Sequence, residues 1–97
     1  MSRIIWLSEA LSDLVRHFDF LKLKDENAAF LAAQKIREAG FSLADNPYKG
    51  NILNDGSGRR KLVVPFGKYG YVILYHIEED DTVVITHVYH GRENRPS

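Results

Sequence analysis

The sequence predicts an α+β fold: an N-terminal strand, a two-helix hairpin, and a mostly antiparallel sheet of about four strands with the hairpin packed on one face. Two observations predict it. Apolar residues recur at helical spacing between Ser8 and Leu43, whereas beyond Gly58 they follow the shorter period of strands. The 97 residues are 44% hydrophobic and 27% charged, which places the chain among globular proteins and gives it one core, so residues 1–97 are read as a single domain.

Arg3 to Leu7 is a short run rich in β-branched and aromatic residues, which suits a strand better than a helix. Ser8 reads as the N-cap of the first helix, and Leu11, Leu14, Val15, Phe18 and Leu21 or Leu23 form its apolar stripe, with Asp13, Arg16, Asp19 and Lys22 between them. Asp25 reads as the cap of a second helix, with a stripe of Ala28, Ala29, Ala32, Ala33, Ile36, Ala39 and Leu43. Its small side chains allow a close antiparallel approach, and Gly40 is a weak point within it. The helix is expected to stop at Asp45-Asn46-Pro47, because proline lacks the N–H and disfavours helical geometry in the residue before it.

Tyr48 to Gly58, with its glycines, asparagines and Asp55, reads as a loop. Three strands follow, at Arg59 to Pro65, Tyr69 to Ile77 and Thr82 to Tyr89, with turns at Phe66-Gly67-Lys68 and at the acidic Glu78 to Asp81, a solvated hairpin tip. Tyr71 to Tyr75 is apolar on both faces, as a central strand requires. The core is expected to hold Leu11, Leu14, Val15, Phe18, Ile36, Ile73 and Val88, with His17 at the surface and His76 hydrogen-bonded on its strand. The polar tail Gly91 to Ser97 is expected to be mobile at its end.

The composition excludes several chemistries. Without cysteine there is no disulfide, thiolate nucleophile or cysteine zinc site. Thirteen basic and thirteen acidic residues leave no net charge, so any nucleic-acid contact must be local. No phosphate-cradling glycine loop and no nucleophile-elbow serine is found, and the three-residue spacing of His87 and His90 on a strand points them to opposite faces, so no cofactor and no metal are expected. The first residues lack the apolar segment of a secretion signal and no stretch suits a membrane span, so a cytoplasmic location is expected. What stands out is cationic: Arg59, Arg60 and Lys61 open one strand, and His87, His90 and Arg92 close another. Were these strand ends to share one edge of the sheet, they would form a surface for a phosphodiester backbone or an acidic protein.

The order of elements, with Glu9-Ala-Leu-Ser-Asp-Leu14, Leu43-Ala-Asp-Asn-Pro-Tyr-Lys-Gly50, Tyr71-Val-Ile-Leu-Tyr75 and Val88-Tyr-His-Gly-Arg92 at these positions, resembles the RelE/ParE toxin superfamily over nearly the whole chain. The resemblance implies the toxin fold and the toxin role in a type II toxin–antitoxin, or plasmid-stabilisation, module. It also implies a cognate antitoxin that wraps hairpin and sheet as an extended or helical segment in a hetero-oligomer. RelE-like members cleave messenger RNA on the ribosome with a cluster of Arg and Lys and a C-terminal Tyr, whereas ParE-like members poison DNA gyrase. The nucleases typically carry Arg after the first Tyr of the central strand, where Val72 stands here, and no Tyr follows Tyr89. Both departures, and the ending Val88 to Arg92, favour the ParE side and gyrase as target. Arg59, Arg60, Lys61, His90 and Arg92 are then the expected target-binding residues. Under the alternative of a ribosome-dependent endonuclease, His87, His90 and Arg92 become the catalytic candidates, because imidazoles titrate near neutrality. A third alternative is an inactive module that keeps only the antitoxin interface.

Overall fold

In the computed structural model, which describes residues 1–96, the chain runs β1 (Ile4–Trp6), α1 (Ser8–Lys22), α2 (Glu26–Ser42), a 3-10 turn (Pro47–Lys49), β2 (Asn51–Ile52), β3 (Arg60–Val64), β4 (Tyr71–Ile77) and β5 (Val83–His90). The expectation about the end of the tail falls partly on Ser97, which lies outside the described residues. The five strands form one sheet in the order β1-β5-β4-β3-β2, antiparallel throughout except for the parallel β1–β5 pair. The α+β layering of a helical hairpin on a sheet therefore holds, with a fifth strand. Asn51 and Ile52, within the expected loop, pair with Lys61 and Arg60 and widen the sheet by one short edge strand.

The sheet is central at β4, and all five residues from Tyr71 to Tyr75 are buried, as an apolar run at mid-sheet requires. Tyr71, Ile73 and Tyr75 point to the helices and share a core with Leu62, Val64, Val83, Ile85 and Val88 from the sheet and with Ala10, Ala32, Ile36 and Leu43 from the hairpin. The Tyr75 hydroxyl is satisfied within that core, since it donates to the Pro47 carbonyl at 2.7 Å and accepts the Gly50 N–H at 2.9 Å. These two bonds tie the turn after α2 to the middle of the sheet.

The helix ends divide between confirmation and correction. Asp25 caps α2 as expected, its Oδ1 accepting the Ala28 N–H at 3.1 Å. Ser8 does not cap α1: Leu7 occupies the cap position with extended backbone and no side-chain bond, and Ser8 begins the helix with its hydroxyl donating to Glu9 Oε1. The strand runs straight into the helix, leaving no room for a capping turn.

Two core assignments are also corrected. Leu11 and Val15 are 49% and 58% exposed. The apolar stripe of α1 is broader than the row it buries: at about 100° per residue the row Ala10, Leu14, His17, Leu21 faces the sheet, and Leu11, Val15 and Phe18 lie one position round the helix, on the side of α2. His17 is thereby buried rather than superficial, at 7% exposure. Gly40 has a packing reason inside its helix, because a Cβ there would collide with the indole of Trp6 and lie 3.1 Å from Cδ1 of Ile85. The acidic tip is exposed as expected, and Asp81 adopts a positive φ of 66° while Asp80 Oδ1 accepts the Thr82 N–H. No helix of the described residues is long and apolar enough to cross a membrane.

Candidate functional site

The helices cover one face of the sheet and leave the other open. Side chains alternate along each strand, so the face opposite the core presents Lys61 and Val63 of β3, Val72 and Leu74 of β4, and His87 and Tyr89 of β5. In register, Lys61, Leu74 and His87 form one row across the three strands, and Val63, Val72 and Tyr89 form the next. The His87 and Tyr89 rings lie 5.5 Å apart on that face.

The expected meeting of the two cationic strand ends does not occur. Both β3 and β5 are antiparallel to β4 and so run in the same direction, which places Arg59 to Lys61 at one end of the sheet and His90 with Arg92 at the other. Arg60 pairs across β4 with Tyr75, whereas His90 pairs with Tyr71. The three cations of the run also differ in use. Arg59 is held by Asp55 at 2.9 Å and by the Ser57 hydroxyl, and the hydrogen bonds that Ser57 and Arg59 donate to the Asp55 carboxylate lower its pKa to about 2. Arg60 points to the helix side, donates to the carbonyls of Gly50 at 2.8 Å and Tyr48 at 3.4 Å, and lies over the Tyr48 ring. It is a clasp on the turn before β2. Lys61, on the open face, makes no ion pair among the described residues.

At the other end, Arg92 stacks over Tyr69 at 4.9 Å, and its N–H donates to His90 Nδ1 at 3.2 Å, so the neutral His90 ring carries its proton on Nε2. His90 meets Tyr71 edge to face at 5.5 Å, and with Arg16, His17, Phe20 and Glu93 these rings line a cleft of about 360 Å³. Glu93 anchors the turn that follows β5, accepting the His90 N–H at 2.9 Å and pairing with Arg16 at 3.2 Å.

Two residues of this region were not assigned to a site from the sequence, which placed His17 at the surface and Asp13 on the polar side of α1. β1 pairs only with Val83 to Ile85, so beyond that point the outer edge of β5 has no strand beside it. Asp13 and His17, one turn apart on α1, supply the missing partners: Asp13 Oδ2 accepts the Val88 N–H at 2.9 Å, and His17 Nε2 donates to the Val88 carbonyl at 2.8 Å. Burial lowers the pKa of His17, and the bond to Val88 opposes that shift only in part. Asp13 Oδ2 also lies 3.2 Å from Nδ1 of His87, a ring 37% exposed, so the carboxylate orients that imidazole and leaves its Nε2 free. The legible signal was a polar pair at i and i+4, one member of which falls in the buried row of an apolar helix.

Comparison with known proteins places the architecture. The chain is similar to Toxin RelE1 of Caulobacter vibrioides, at 31% identity over 86 residues covering 89% of each chain. It is equally similar to Toxin RelE2 of the same organism, at 31% over 91 residues, 94% of this chain and 97% of that one. Among solved structures, the fold matches a chain of the chromosomal ParDE toxin–antitoxin system from P. aeruginosa with a TM-score of 0.77 at 18% identity, covering 93% of this chain and 96% of that one. It also matches a chain of the toxin–antitoxin complex RelBE2 from Mycobacterium tuberculosis with a TM-score of 0.65 at 22% identity, covering 92% and 96%. A family model described as "ParE toxin of type II toxin-antitoxin system, parDE" matches residues 4–95. The α+β sheet with its helical hairpin, the relatives over nearly full length and the family match agree: this chain belongs to the ParE toxin family of type II toxin–antitoxin systems.

Proposed function

We propose that this toxin arrests growth by binding DNA gyrase through the open face of its sheet, and that a cognate antitoxin neutralises it. The observation that carries the reading is Val72. It sits in the middle of the open face, buried between Val63 and Tyr89 in register, at the position where the nuclease pattern has an arginine. A valine cannot stabilise the charge that develops on a phosphodiester during cleavage. Lys61 on this face, and Arg92 beyond the end of β5, are the cations placed to steer the encounter. Arg59 and Arg60 are engaged within the chain, and His90 is half-buried beside Arg92.

The pair of Asp13 and His87 favours a second reading, that of a ribosome-dependent messenger-RNA endonuclease. A carboxylate on Nδ1 leaves Nε2 as a proton acceptor facing the open side, the arrangement general-base catalysis requires. One set of assays separates the two. Purified toxin is added to gyrase in supercoiling and DNA-cleavage reactions, and to a translating extract in which messenger-RNA ends are mapped. The gyrase reading expects stabilised DNA breaks and intact messenger RNA, and codon-spaced cleavage that His87→Ala abolishes replaces it with the second.

A further inference from the structure

The cleft of about 360 Å³ between α1 and the end of β5 is lined by hydrogen-bonding atoms that the fold leaves unused. Tyr71 is 5% exposed and His17 is 7% exposed, so both side chains belong to the interior. The Tyr71 hydroxyl nevertheless has no partner among the described residues, and burial alone acts on its pKa, raising it. His17 gives its Nε2 proton to the Val88 carbonyl, which makes Nδ1 an acceptor with nothing bonded to it. No wholly buried side-chain nitrogen or oxygen of the described residues lacks a partner, so these two atoms are reached from outside, and the cleft is the opening that both rings line. His90, across from them, accepts the Arg92 N–H on Nδ1 and keeps a free donor at Nε2.

The chemistry of the lining narrows what can occupy it. A metal ion does not fit, because His17 Nε2 is committed to Val88 and no three His, Asp or Glu side chains among the described residues are placed to hold one. A wholly apolar ligand would bury the hydroxyl and Nδ1 unpaired, at the full cost of their desolvation. A cation is disfavoured, since Glu93 is already paired with Arg16 at 3.2 Å. Two further cations adjoin the lining rings: Lys24 lies 4.7 Å over Phe20, and Arg92 follows His90, and neither has an ion pair among the described residues. The occupant that suits these groups is a flat ring with polar edge atoms and an anionic substituent.

We propose that this cleft is a nucleotide site, with the base against the Phe20 and His90 rings, its polar edge on the Tyr71 hydroxyl, His17 Nδ1 and His90 Nε2, and its phosphate toward Lys24 and Arg92. A nucleobase presents donors and acceptors side by side on a ring that stacks, which matches one acceptor, one donor and a hydroxyl that serves as either. Ligand clefts begin at about 300 Å³, so the space suits a single base. A free mononucleotide and an unpaired nucleotide of a strand offer the same chemistry. Tyr71 and His90 lie on the helix side, opposite the open face assigned to the target, so the site does not depend on whether that target is gyrase.

The test titrates isotope-labelled toxin with the monophosphates of adenosine, guanosine, cytidine and uridine, and with ribose 5-phosphate as the ligand that lacks a base. At least one monophosphate should shift the amide resonances of residues 16–20 and 90–93. Phe20→Ala should weaken its binding about tenfold and Tyr71→Phe about fivefold, whereas Ile52→Ala, on the edge strand β2, should leave it unchanged. Phe20 is 61% exposed and Tyr71→Phe keeps the ring, so both variants retain the core, and the shift map of the unmutated toxin serves for any variant that fails to fold. A single-stranded tetranucleotide that binds more tightly than the monophosphates identifies a strand as the source of the base, and equal or lower affinity identifies the free nucleotide; either result upholds the site. Absence of shifts at millimolar nucleotide, ribose 5-phosphate binding as tightly as the nucleotides, or undiminished affinity in both cleft variants would each overturn the proposal.

Discussion

His17 and Val88, 71 residues apart in sequence, share a buried hydrogen bond of 2.8 Å that closes the edge of the sheet where β1 runs out. With Asp13 on the Val88 N–H, α1 performs by two side chains the hydrogen bonding that a longer β1 would have performed by backbone. Replacing His17 with Leu leaves the Val88 carbonyl buried and unpaired, and should cost about 1–3 kcal/mol in denaturant unfolding. Asp13→Ala should cost a similar amount by orphaning the N–H. A loss below about half a kcal/mol in both would mean that water supplies these partners.

The same residue sets a pH dependence. The folded-state pKa of His17 is lowered from 6.5 by burial, so as pH falls below that value the unfolded chain takes up a proton that the folded chain refuses. Stability should therefore decline as pH drops below about 6.5, and the decline should be absent in His17→Gln. A second decline should follow between 3.8 and about 2, where protonation removes the bonds that Ser57 and Arg59 make to Asp55. Chemical denaturation at a series of pH values, with Asp55→Asn as the second control, reads both.

Gly40→Ala should destabilise, although alanine is the better helix former by up to about 1 kcal/mol. The added methyl has no space against Trp6, so overpacking at about 1–3 kcal/mol outweighs the gain in propensity. A raised melting temperature for this variant would show that the indole can move aside.

Truncations should separate the two rows of α1 and its neighbours. Ile73→Ala and Ile36→Ala remove fully buried side chains and should cost about 2–5 kcal/mol. Leu11→Ala and Val15→Ala, in the exposed row, should stay within about half a kcal/mol of the parent in urea unfolding.

The cations of β3 should divide by function. Lys61→Glu should abolish growth arrest with an unchanged melting temperature, because Lys61 lies on the open face without an ion pair among the described residues. Arg60→Glu should lower the melting temperature by about 4–8 °C, since the carbonyls of Gly50 and Tyr48 lose their donor. Full toxicity of Lys61→Glu would remove the open face from the target contact.

Most of the element order was legible along the chain because it depends on local physics: the helical spacing that stops at Ser42, ahead of the expected break at Pro47, the Asp25 cap, and the apolar run Tyr71 to Tyr75 that can only be central; the short edge strand β2 was not. The motifs along the chain also carried the family. Which groups meet was fixed by the packing of the elements. Strand direction put Arg59 to Lys61 at the opposite end of the sheet from His90 and Arg92, a relation that the spacing of residues along the chain does not contain. The angle at which α1 lies on the sheet chose the row with His17 for the core and left Leu11 and Val15 outside, although both rows have the period of a buried face. The early end of β1 gave Asp13 and His17 their partners on Val88, for a hydrogen bond between distant segments is fixed by the fold that brings them together.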